Sequence, residues 1–171
     1  MTRLKAIVVD DDPLVRSLVS GVLARRGYEV VSYSDPVFSP QYESASCPCP
    51  AAKLCPDVII TDLEMPYVNG LDFIECQRRK GCRCRHVALM SDGCSKADLQ
   101  RGAQLGVAFI TKPFHPQQFC AWLDEIEQRT AAAPGHGAGD AARGPSETKG
   151  GARATPARSK GQEHNADRKQ R

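Results

Sequence analysis

The amino-acid sequence predicts an α/β fold, with a five-stranded parallel sheet covered by helices on both faces. Short, mainly apolar segments, which suit strands buried on both sides, alternate along residues 1–129 with segments of helical periodicity. Several of the apolar segments end in an acidic, hydroxyl or amino side chain. In a parallel sheet these side chains meet at the carboxyl edge of the strands, where open α/β folds place their sites.

The first strand and the first helix carry the clearest local signals. Residues 4–9 form an apolar strand that ends at Asp10, and Asp12 followed by Pro13 suits the start of a helix with Asp12 as its N-cap. Gly27 marks the end of that helix. Its inward stripe is predicted to consist of Val15, Leu18, Val19, Val22 and Leu23.

Four further strands are predicted at residues 28–32, 57–61, 86–90 and 107–111. Two further helices are predicted at residues 70–80 and 95–104. A final helix is predicted from the apolar stripe of Phe119, Trp122, Leu123 and Ile126.

The second crossover is predicted to be irregular. Residues 35–56 contain five prolines, which leave room for a short helix at most. The other crossovers show helical stripes of ordinary length, so this segment is the exception among the connections of the sheet.

The composition of the chain changes after residue 129. Residues 131–171 hold ten alanines, seven glycines and three prolines, but no Leu, Ile, Val, Phe, Tyr or Trp. Such a segment buries too little apolar surface to offset an ordering cost of about 1–2 kcal/mol per residue. We therefore expect a folded domain at residues 1–129 and a disordered basic tail, rich in Gly, Ala and Pro, at residues 130–171.

Charge and hydropathy exclude several classes of protein. The formal net charge of +3 comes from residues 131–171, which carry +4, while residues 1–130 carry −1. The body is therefore not a basic nucleic-acid binder, and the tail shows no helix-turn-helix pattern, so we expect no folded DNA-binding domain. No apolar run approaches the roughly 20 residues of a membrane span, and the N-terminus lacks the features of a signal peptide. We expect a cytoplasmic protein without a membrane partner.

Five side chains of complementary chemistry follow the predicted strands. They are Asp10 and Asp11 after the first strand, Asp62 after the third, Ser91 after the fourth and Lys112 after the fifth. Three carboxylates in one crevice repel one another and require a counter-charge, which Mg²⁺ supplies in sites that also hold a phosphate oxygen. A lysine and a serine opposite the metal suit the remaining oxygens of a phosphoryl group. The central carboxylate then suits an acceptor that forms an aspartyl phosphate.

These stretches resemble the receiver domain of two-component response regulators, of which the single-domain chemotaxis regulator is the best-known stand-alone example. The resemblance covers about residues 3–128. The matching stretches are Val8-Val9-Asp10-Asp11-Asp12-Pro13, Ile60-Thr61-Asp62-Leu63-Glu64-Met65-Pro66, Asn69-Gly70, Ala88-Leu89-Met90-Ser91 and Phe109-Ile110-Thr111-Lys112-Pro113-Phe114.

The resemblance implies a role for each of these side chains. Asp62 would be the phosphoacceptor, and Ser91 and Lys112 would contact the phosphoryl group. The Mg²⁺ ligands would be Asp10, Asp11, Asp62 and the backbone carbonyl of Glu64. The peptide bond before Pro113 would be cis. Phe109 would be the aromatic switch residue, whose ring turns inward as the hydroxyl of Ser91 turns towards the phosphate.

The resemblance further implies a stand-alone response regulator, which is a signalling module rather than an enzyme. It would accept a phosphoryl group from a histidine kinase and then bind a downstream effector protein, or pass the phosphate to a phosphotransfer protein. Asp92 departs from the family, in which a small residue usually follows the serine. Its carboxylate either adds negative charge near the incoming phosphate or points away and caps the next helix; we expect the first, which would slow phosphorylation.

Two alternatives remain open on the sequence. A phosphohydrolase of the haloacid-dehalogenase type would use Asp10 as its nucleophile, with Asp12 as the second carboxylate of an Asp-x-Asp motif. Pro13 and the lack of an acidic pair after Lys112 count against it. The other alternative is a metal- or redox-responsive receiver variant, in which phosphorylation is secondary, and it is suggested by the cysteines.

Eight cysteines are a high number for a chain expected in a reducing compartment. In the flavodoxin-like strand order 2-1-3-4-5 that we expect, the loops before the third and fourth strands lie side by side at the amino edge of the sheet. Those loops contain Cys47, Cys49, Cys55, Cys82 and Cys84. Converging thiolates suit tetrahedral Zn²⁺ or an iron–sulfur cluster, and reduced thiols without a metal are the other interpretation.

Overall fold

Strands and helices alternate along the chain in a computed structural model that describes residues 3–47 and 55–132, with side chains up to residue 129. The strands are β1 (Lys5–Val9), β2 (Glu29–Tyr33), β3 (Val58–Asp62), β4 (His86–Ser91) and β5 (Val107–Thr111). The helices are α1 (Pro13–Arg25), α2 (Pro40–Glu43), α3 (Gly70–Arg79), α4 (Lys96–Leu105) and α5 (Pro116–Ala132), with a 3₁₀ turn at Pro36–Phe38.

The five strands form one parallel sheet in the order β2-β1-β3-β4-β5, which confirms the predicted order. Val58 at the start of β3 pairs with Ala6 of β1 on one side and with His86 of β4 on the other. Because the strands are parallel and begin at similar levels, their carboxyl ends reach the same edge of the sheet. The polar residues that follow the strands are therefore gathered at that edge, and the loops that precede β3 and β4 lie at the opposite one.

Alternate residues of the central strands face two separate apolar cores. Ala6 and Val8 of β1 pack with α1 and α5, whereas Ile7 and Val9 pack mainly with α3 on the other face. All four side chains are at most 4% exposed. Burial on both faces explains why the strands are continuous apolar runs rather than alternating ones.

The start and the end of α1 are as predicted. The carboxylate of Asp12 accepts a hydrogen bond from the backbone N–H of Leu14 at 2.7 Å, and Pro13 occupies the first helical position. The helix ends at Arg25, and Gly27 follows with a φ of +89°, a conformation that favours glycine. These local signals therefore direct the chain away from the end of β1 and back along the sheet.

The predicted inward stripe of α1 is wrong at one position. Val19 and Leu23 are fully buried, but Leu18 is 48% exposed and lies at the rim of the cleft at the carboxyl edge. Each helical residue turns by about 100°, so Leu18 falls at the margin of the apolar stripe rather than at its centre. The predicted stripe of α5 is buried, with Trp122 partly exposed.

The second crossover is irregular in its described part, as predicted. After β2 the chain makes a 3₁₀ turn and then the short helix α2, which has only four residues. The end of α3 supports this segment, because Gln77 Nε2 and Lys80 Nζ both donate to the carbonyl oxygen of Gln41, at 3.0 and 3.1 Å. Residues 48–54 of the crossover lie outside the described residues.

The tail predicted at residues 130–171 lies outside the described residues from residue 133 onward. Residues 130–132 belong to α5, so this helix passes the predicted boundary by three residues. Among the helices that the structure describes, none combines the length and the apolar character needed to span a bilayer.

Candidate functional site

An open cleft with a volume of about 880 Å³ lies at the carboxyl edge of the sheet. Acidic, hydroxyl and amino side chains form its walls together with the apolar rim of α1. The lining residues are Asp11, Asp12, Val15, Leu18, Asp62, Glu64, Ser91, Asp92, Gly93, Lys112, Pro113 and Phe114. Four of the five polar groups that follow the strands line this cleft, and the fifth, Asp10, is buried next to it.

Three carboxylates meet where β1 and β3 end. Carboxylate oxygens of Asp10, Asp11 and Asp62 all lie within 4.8 Å of one another. Asp10 is fully buried and Asp62 is 6% exposed, whereas Asp11 is exposed to the cleft. Because β1 and β3 are neighbours in the sheet, carboxylates that are distant in the sequence come together at adjacent strand ends.

Lys112 brings positive charge to these carboxylates. Its backbone N–H donates to the carbonyl oxygen of Ser91 at 2.8 Å, so the residue is held beside the end of β4. Its Nζ lies 3.0 Å from Asp10 Oδ2 and 2.9 Å from Asp62 Oδ1. The peptide bond between Lys112 and Pro113 is cis, as expected. One ammonium group therefore bridges two of the three carboxylates.

Burial dominates the titration of the two buried carboxylates, Asp10 and Asp62. Burial raises the pKa of Asp10 and of Asp62, and the hydrogen bonds from Lys112 offset only part of this effect. For Lys112, burial acts to lower the pKa, but the hydrogen bonds to Asp62 and Asp10 outweigh it and raise the pKa. The lysine is therefore charged at neutral pH, and the three carboxylates are short of positive charge.

The donor atoms of this cluster fit Mg²⁺. They are carboxylate oxygens, which are the hard ligands that Mg²⁺ prefers, and the open cleft leaves room for the waters that it retains. Glu64, whose backbone carbonyl is the further expected ligand, lies at the rim of the same cleft.

Arg16 supports the acidic loop and was not identified from the sequence. Its Nη1 donates to the backbone oxygen of Asp10 at 2.5 Å and to that of Asp11 at 3.4 Å. The guanidinium group thus fixes the backbone of the loop while the carboxylates remain available to a cation. The only sequence signal is its position one helical turn after the N-cap Asp12, which places both residues on the same side of α1.

Gly70 allows α3 to begin directly against β3. A Cβ at this position would lie 2.1 Å from the backbone oxygen of Asp62, which is closer than any side chain permits. The side chain of Asn69 caps the same helix by accepting from the N–H of Leu71 at 2.8 Å. Asn69 and Gly70 therefore fix the segment that follows Asp62. The sequence indicated only that this pair matches the family, not that it has this structural role.

Comparison with known proteins agrees with this arrangement. The family model for the response regulator receiver domain matches residues 6–124. The chain belongs to this family.

This receiver domain is similar to the corresponding part of several curated proteins. The alkaline phosphatase synthesis transcriptional regulatory protein SphR of Synechococcus elongatus is 28% identical over 132 residues, which cover 76% of this chain and 51% of that protein. The transcriptional regulatory protein KdpE of Mycobacterium tuberculosis is 30% identical over 128 residues, 74% of this chain and 52% of that protein. The chain thus spans about half the length of the curated relatives it matches.

Solved structures of receiver proteins share the fold. The chemotaxis protein CheY4 of Vibrio cholerae superposes with a TM-score of 0.59 at 25% identity, covering 73% of this chain and 99% of that chain. A response regulator receiver protein from Pseudomonas putida gives a TM-score of 0.61 at 22% identity, covering 73% of this chain and 98% of that chain. The second likeness supports the fold alone.

The hydroxyl of Ser91 in this receiver domain is turned towards the loop that follows β4. It donates to the carbonyl oxygen of Gly93 at 2.6 Å and accepts from the N–H of Gly93 at 3.0 Å. To donate to a phosphoryl group, the Ser91 hydroxyl would have to give up its bond to the carbonyl oxygen of Gly93, because it has only one proton.

Asp92 is exposed and lines the cleft next to Ser91. It does not cap α4, because Ser95 is the N-cap of that helix and forms a reciprocal capping box with Asp98. The carboxylate of Asp92 therefore adds negative charge at the rim of the receiver cleft.

Phe109 of β5 packs against α4 in this receiver domain. The side chain is half-buried, and its ring lies so close to Gly102 that a Cβ there would come within 2.3 Å of the ring carbon Cζ. The absence of a side chain at position 102 therefore creates the space that the ring occupies. This contact links the expected switch residue to α4.

We expect Gly102→Ala to destabilise the receiver domain by about 1–3 kcal/mol, the usual penalty for overpacking, because the added methyl group displaces the Phe109 ring. Without the ring, the same substitution should stabilise α4 by about 1 kcal/mol, since alanine favours helix over glycine. The free energy of unfolding is measured by chemical denaturation for the wild type, Gly102→Ala, Phe109→Ala and the double variant. The effect of Gly102→Ala on this free energy should change sign when Phe109 is replaced. A destabilisation that persists in the Phe109→Ala background would contradict the packing.

The cysteines that precede β3 and β4 gather at the amino edge of the sheet, opposite the cleft. The sulfur atoms of Cys47, Cys55 and Cys82 all lie within 4.8 Å of one another. Burial, together with the neighbouring thiols of Cys47 and Cys55, raises the pKa of Cys82 to about 11. The structure therefore brings together three of the five cysteines that the sequence singled out.

The other two cysteines of that set are not part of this cluster as described. Cys49 lies outside the described residues. Cys84 is not grouped with the three sulfur atoms: its side chain is 1% exposed, and its thiol donates to the carbonyl oxygen of His86 at 3.4 Å. Burial, with a further contribution from Cys82, raises the pKa of Cys84 above its ordinary value, so this thiol remains protonated.

Proposed function

We propose that this receiver domain is a signalling module that accepts a phosphoryl group on Asp62 from the phosphohistidine of a histidine kinase. The observation that carries the proposal is the bridge from Lys112 Nζ to Asp10 and Asp62 within a cluster of three carboxylates. A cluster with this charge pattern, reached through an open cleft, suits the transient binding of a phosphoryl group and a divalent cation.

Asp62 suits the acceptor better than Asp10 does. Asp62 lines the cleft and is 6% exposed, whereas Asp10 is fully buried behind it. In the transfer, an oxygen of Asp62 forms the new bond to phosphorus while the bond to the donor nitrogen breaks. The imidazole of the kinase leaves with the electron pair of that bond.

Asp10, Asp11 and Asp62, with the backbone carbonyl of Glu64, would hold Mg²⁺, which when bound supplies positive charge to the carboxylates and the phosphoryl oxygens. Lys112 already lies between two of the carboxylates, so its ammonium group can pair with a phosphoryl oxygen after a small movement. The protein thus positions the reacting groups and neutralises their charge, which is what phosphoryl transfer requires.

Phosphorylation would change the surface formed by α4, β5 and α5. A phosphoryl oxygen offers Ser91 a stronger, charged acceptor than the carbonyl of Gly93, so the hydroxyl would rotate towards Asp62. The Phe109 ring would move inward into the space vacated by Ser91, which alters the surface next to α4. We propose that this surface binds a downstream effector protein or a phosphotransfer protein, in the cytoplasm where kinases use ATP.

The family match and the geometry both disfavour a hydrolase that uses Asp10. The buried carboxylate of Asp10 accepts from the backbone N–H of Asp12 at 2.9 Å, and the carboxylate of Asp12 caps α1. Asp12, which such a hydrolase would use as the acid that protonates the leaving group, is therefore already engaged as the N-cap of α1.

The proposal is tested by incubating the full chain with acetyl phosphate and Mg²⁺ and measuring its intact mass. We expect an increase equal to one phosphoryl group, which EDTA prevents and hydroxylamine reverses, as for an acyl phosphate. A wild-type chain that remains unmodified under donor excess would contradict the proposal. Phosphotransfer from a panel of purified histidine kinases would then identify the partner.

A further inference from the structure

The three thiols at the amino edge come from two separate segments of the chain. Cys47 and Cys55 belong to the irregular crossover before β3, and Cys82 belongs to the loop between α3 and β4. Their sulfur atoms lie within 4.8 Å of one another, and Cys47 Sγ is 3.9 Å from Cys55 Sγ. β3 and β4 pair from Val58 and His86 onward, so the sheet itself holds the two segments side by side.

Backbone contacts fix these positions independently of any ion. The N–H of Cys47 donates to the carbonyl oxygen of Lys80 at 2.9 Å, and the N–H of Cys82 donates to that of Gln77 at 2.9 Å. Arg78 Nη1 donates to the carbonyl oxygen of Cys82 at 3.3 Å. The end of α3 thus orients two of the three sulfur ligands, and a metal ion would find them close to their binding positions.

The spacing of the sulfur atoms suits a single tetrahedral ion. With zinc–sulfur bonds of about 2.3 Å, two ligands of a tetrahedral site lie roughly 3.8 Å apart, close to the 3.9 Å between Cys47 and Cys55. In an iron–sulfur cluster the cysteine ligands are divided between two or more iron atoms, so three of them cannot all lie as close together as the ligands of a single ion. A disulfide would need a sulfur–sulfur distance of about 2.05 Å.

The chemistry of the surroundings also suits a soft divalent cation. Three thiolates and Zn²⁺ carry a net charge of −1, and Arg78 places positive charge at the carbonyl oxygen of Cys82, beside the cluster. Cys82 is 8% exposed, and apolar side chains of the core under α3 pack around all three cysteines. A partly buried site whose ligands are all sulfur favours Zn²⁺ over hard cations such as Mg²⁺.

We propose that Cys47, Cys55 and Cys82 bind one zinc ion that fastens the β2–β3 crossover to the α3–β4 loop. Each thiol releases its proton to solvent as its sulfur forms a bond to zinc, and a water or another ligand completes the tetrahedron. The ion takes over the organising role of the full crossover helix that the prolines prevent. The site lies at the edge of the sheet opposite Asp62, so it stands or falls independently of the phosphorylation proposal.

The test begins with the full chain, purified with reductant and without chelator or added metal, and measures zinc and iron by mass spectrometry. We expect about one zinc per chain, either as purified or after adding Zn²⁺ and desalting. Cys47→Ser, Cys55→Ser and Cys82→Ser should each lower the bound zinc at least tenfold. The matched controls Cys76→Ser and Cys120→Ser, on α3 and α5, should keep it.

Two further measurements separate loss of zinc from loss of folding. Replacement of zinc by Co²⁺ should give a charge-transfer band whose intensity corresponds to three thiolates in the wild type, and to no more than two in the three serine variants even at saturating Co²⁺. Removing the metal should speed amide exchange in residues 39–47, while Mg²⁺-dependent modification by acetyl phosphate persists.

Several outcomes would overturn the zinc site. The first is a wild type that holds less than about a tenth of an equivalent of zinc even after Zn²⁺ is added. The second and third are zinc that stays bound in Cys82→Ser and iron in place of zinc. The fourth is an intact mass lower by two hydrogens, which marks a disulfide. The last result would instead make the Cys47–Cys55 pair a redox element.

Discussion

Asp62→Asn should abolish formation of the acyl phosphate, because the amide has no carboxylate oxygen with which to attack phosphorus. We expect intact-mass analysis with acetyl phosphate and Mg²⁺ to show no phosphorylated species in this variant under conditions that modify most of the wild type. The rate should fall on the order of 10⁶-fold, as when the nucleophile of a covalent mechanism is removed. The variant should remain folded, since an asparagine can still contact Lys112 and relieves part of the repulsion within the cluster.

Asp92→Asn provides the matched control, because Asp92 lies in the same cleft but outside the carboxylate cluster. It should be phosphorylated at least as fast as the wild type, since it removes a negative charge near the incoming phosphoryl group. Peptide mapping of the wild type should place the adduct on Asp62. An adduct on Asp10, or an adduct that survives in Asp62→Asn, would contradict the assignment of the acceptor.

The sequence was sufficient to predict the sheet and the acidic site for one physical reason. A parallel sheet forces every strand to end at the same edge, so knowing where each strand ends is enough to place Asp10, Asp62 and Lys112 together. Because these strands are buried on both faces, they can be recognised in the sequence as continuous apolar runs. The pairing of β3 with β4 likewise placed Cys55 and Cys82 at the opposite edge.

The remaining details depend on contacts that leave no periodic signal. The hydroxyl of Ser91 is turned towards Gly93 by two local hydrogen bonds, and Cys84 is turned towards His86 by another. From the sequence alone, Gly102 only lowers the helix propensity of α4. The structure shows that the ring of Phe109 fills the space that a side chain at position 102 would need. Rotamers and close approaches are set by three-dimensional packing, which spacing along a sequence does not encode.

Opposite effects on stability are expected from removing a carboxylate and from removing the lysine of the site. In the metal-free protein at pH 7, Asp10→Asn should stabilise the fold by about 1 kcal/mol, because it removes one of three converging negative charges. This corresponds to a rise in melting temperature of about 4 °C for a domain of this size. Lys112→Met should destabilise the fold by about 2–4 kcal/mol, since it leaves buried carboxylates without their counter-charge.

The pH dependence gives this pair of variants an internal control. Burial raises the pKa of Asp10 in the folded state. The protonated Asp10 side chain therefore contributes fully to the stability of the fold below about pH 4, and this contribution is lost as the pH rises through the folded-state pKa. The advantage of Asp10→Asn should therefore vanish on acidification. The defect of Lys112→Met should shrink over the same range, because protonated Asp10 and Asp62 no longer need a cation.

Thermal denaturation of the three proteins between pH 4 and pH 8 measures both trends, with and without Mg²⁺. Binding to the native state stabilises it by mass action, so Mg²⁺ should raise the melting temperature of the wild type more than that of Asp10→Asn, which has lost a ligand. If Asp10→Asn instead proved less stable than the wild type at pH 7 without metal, the attraction between Asp10 and Lys112 would outweigh the repulsion among the carboxylates. The cluster would then be a structural ion pair, and its need for a divalent cation would lose its physical basis.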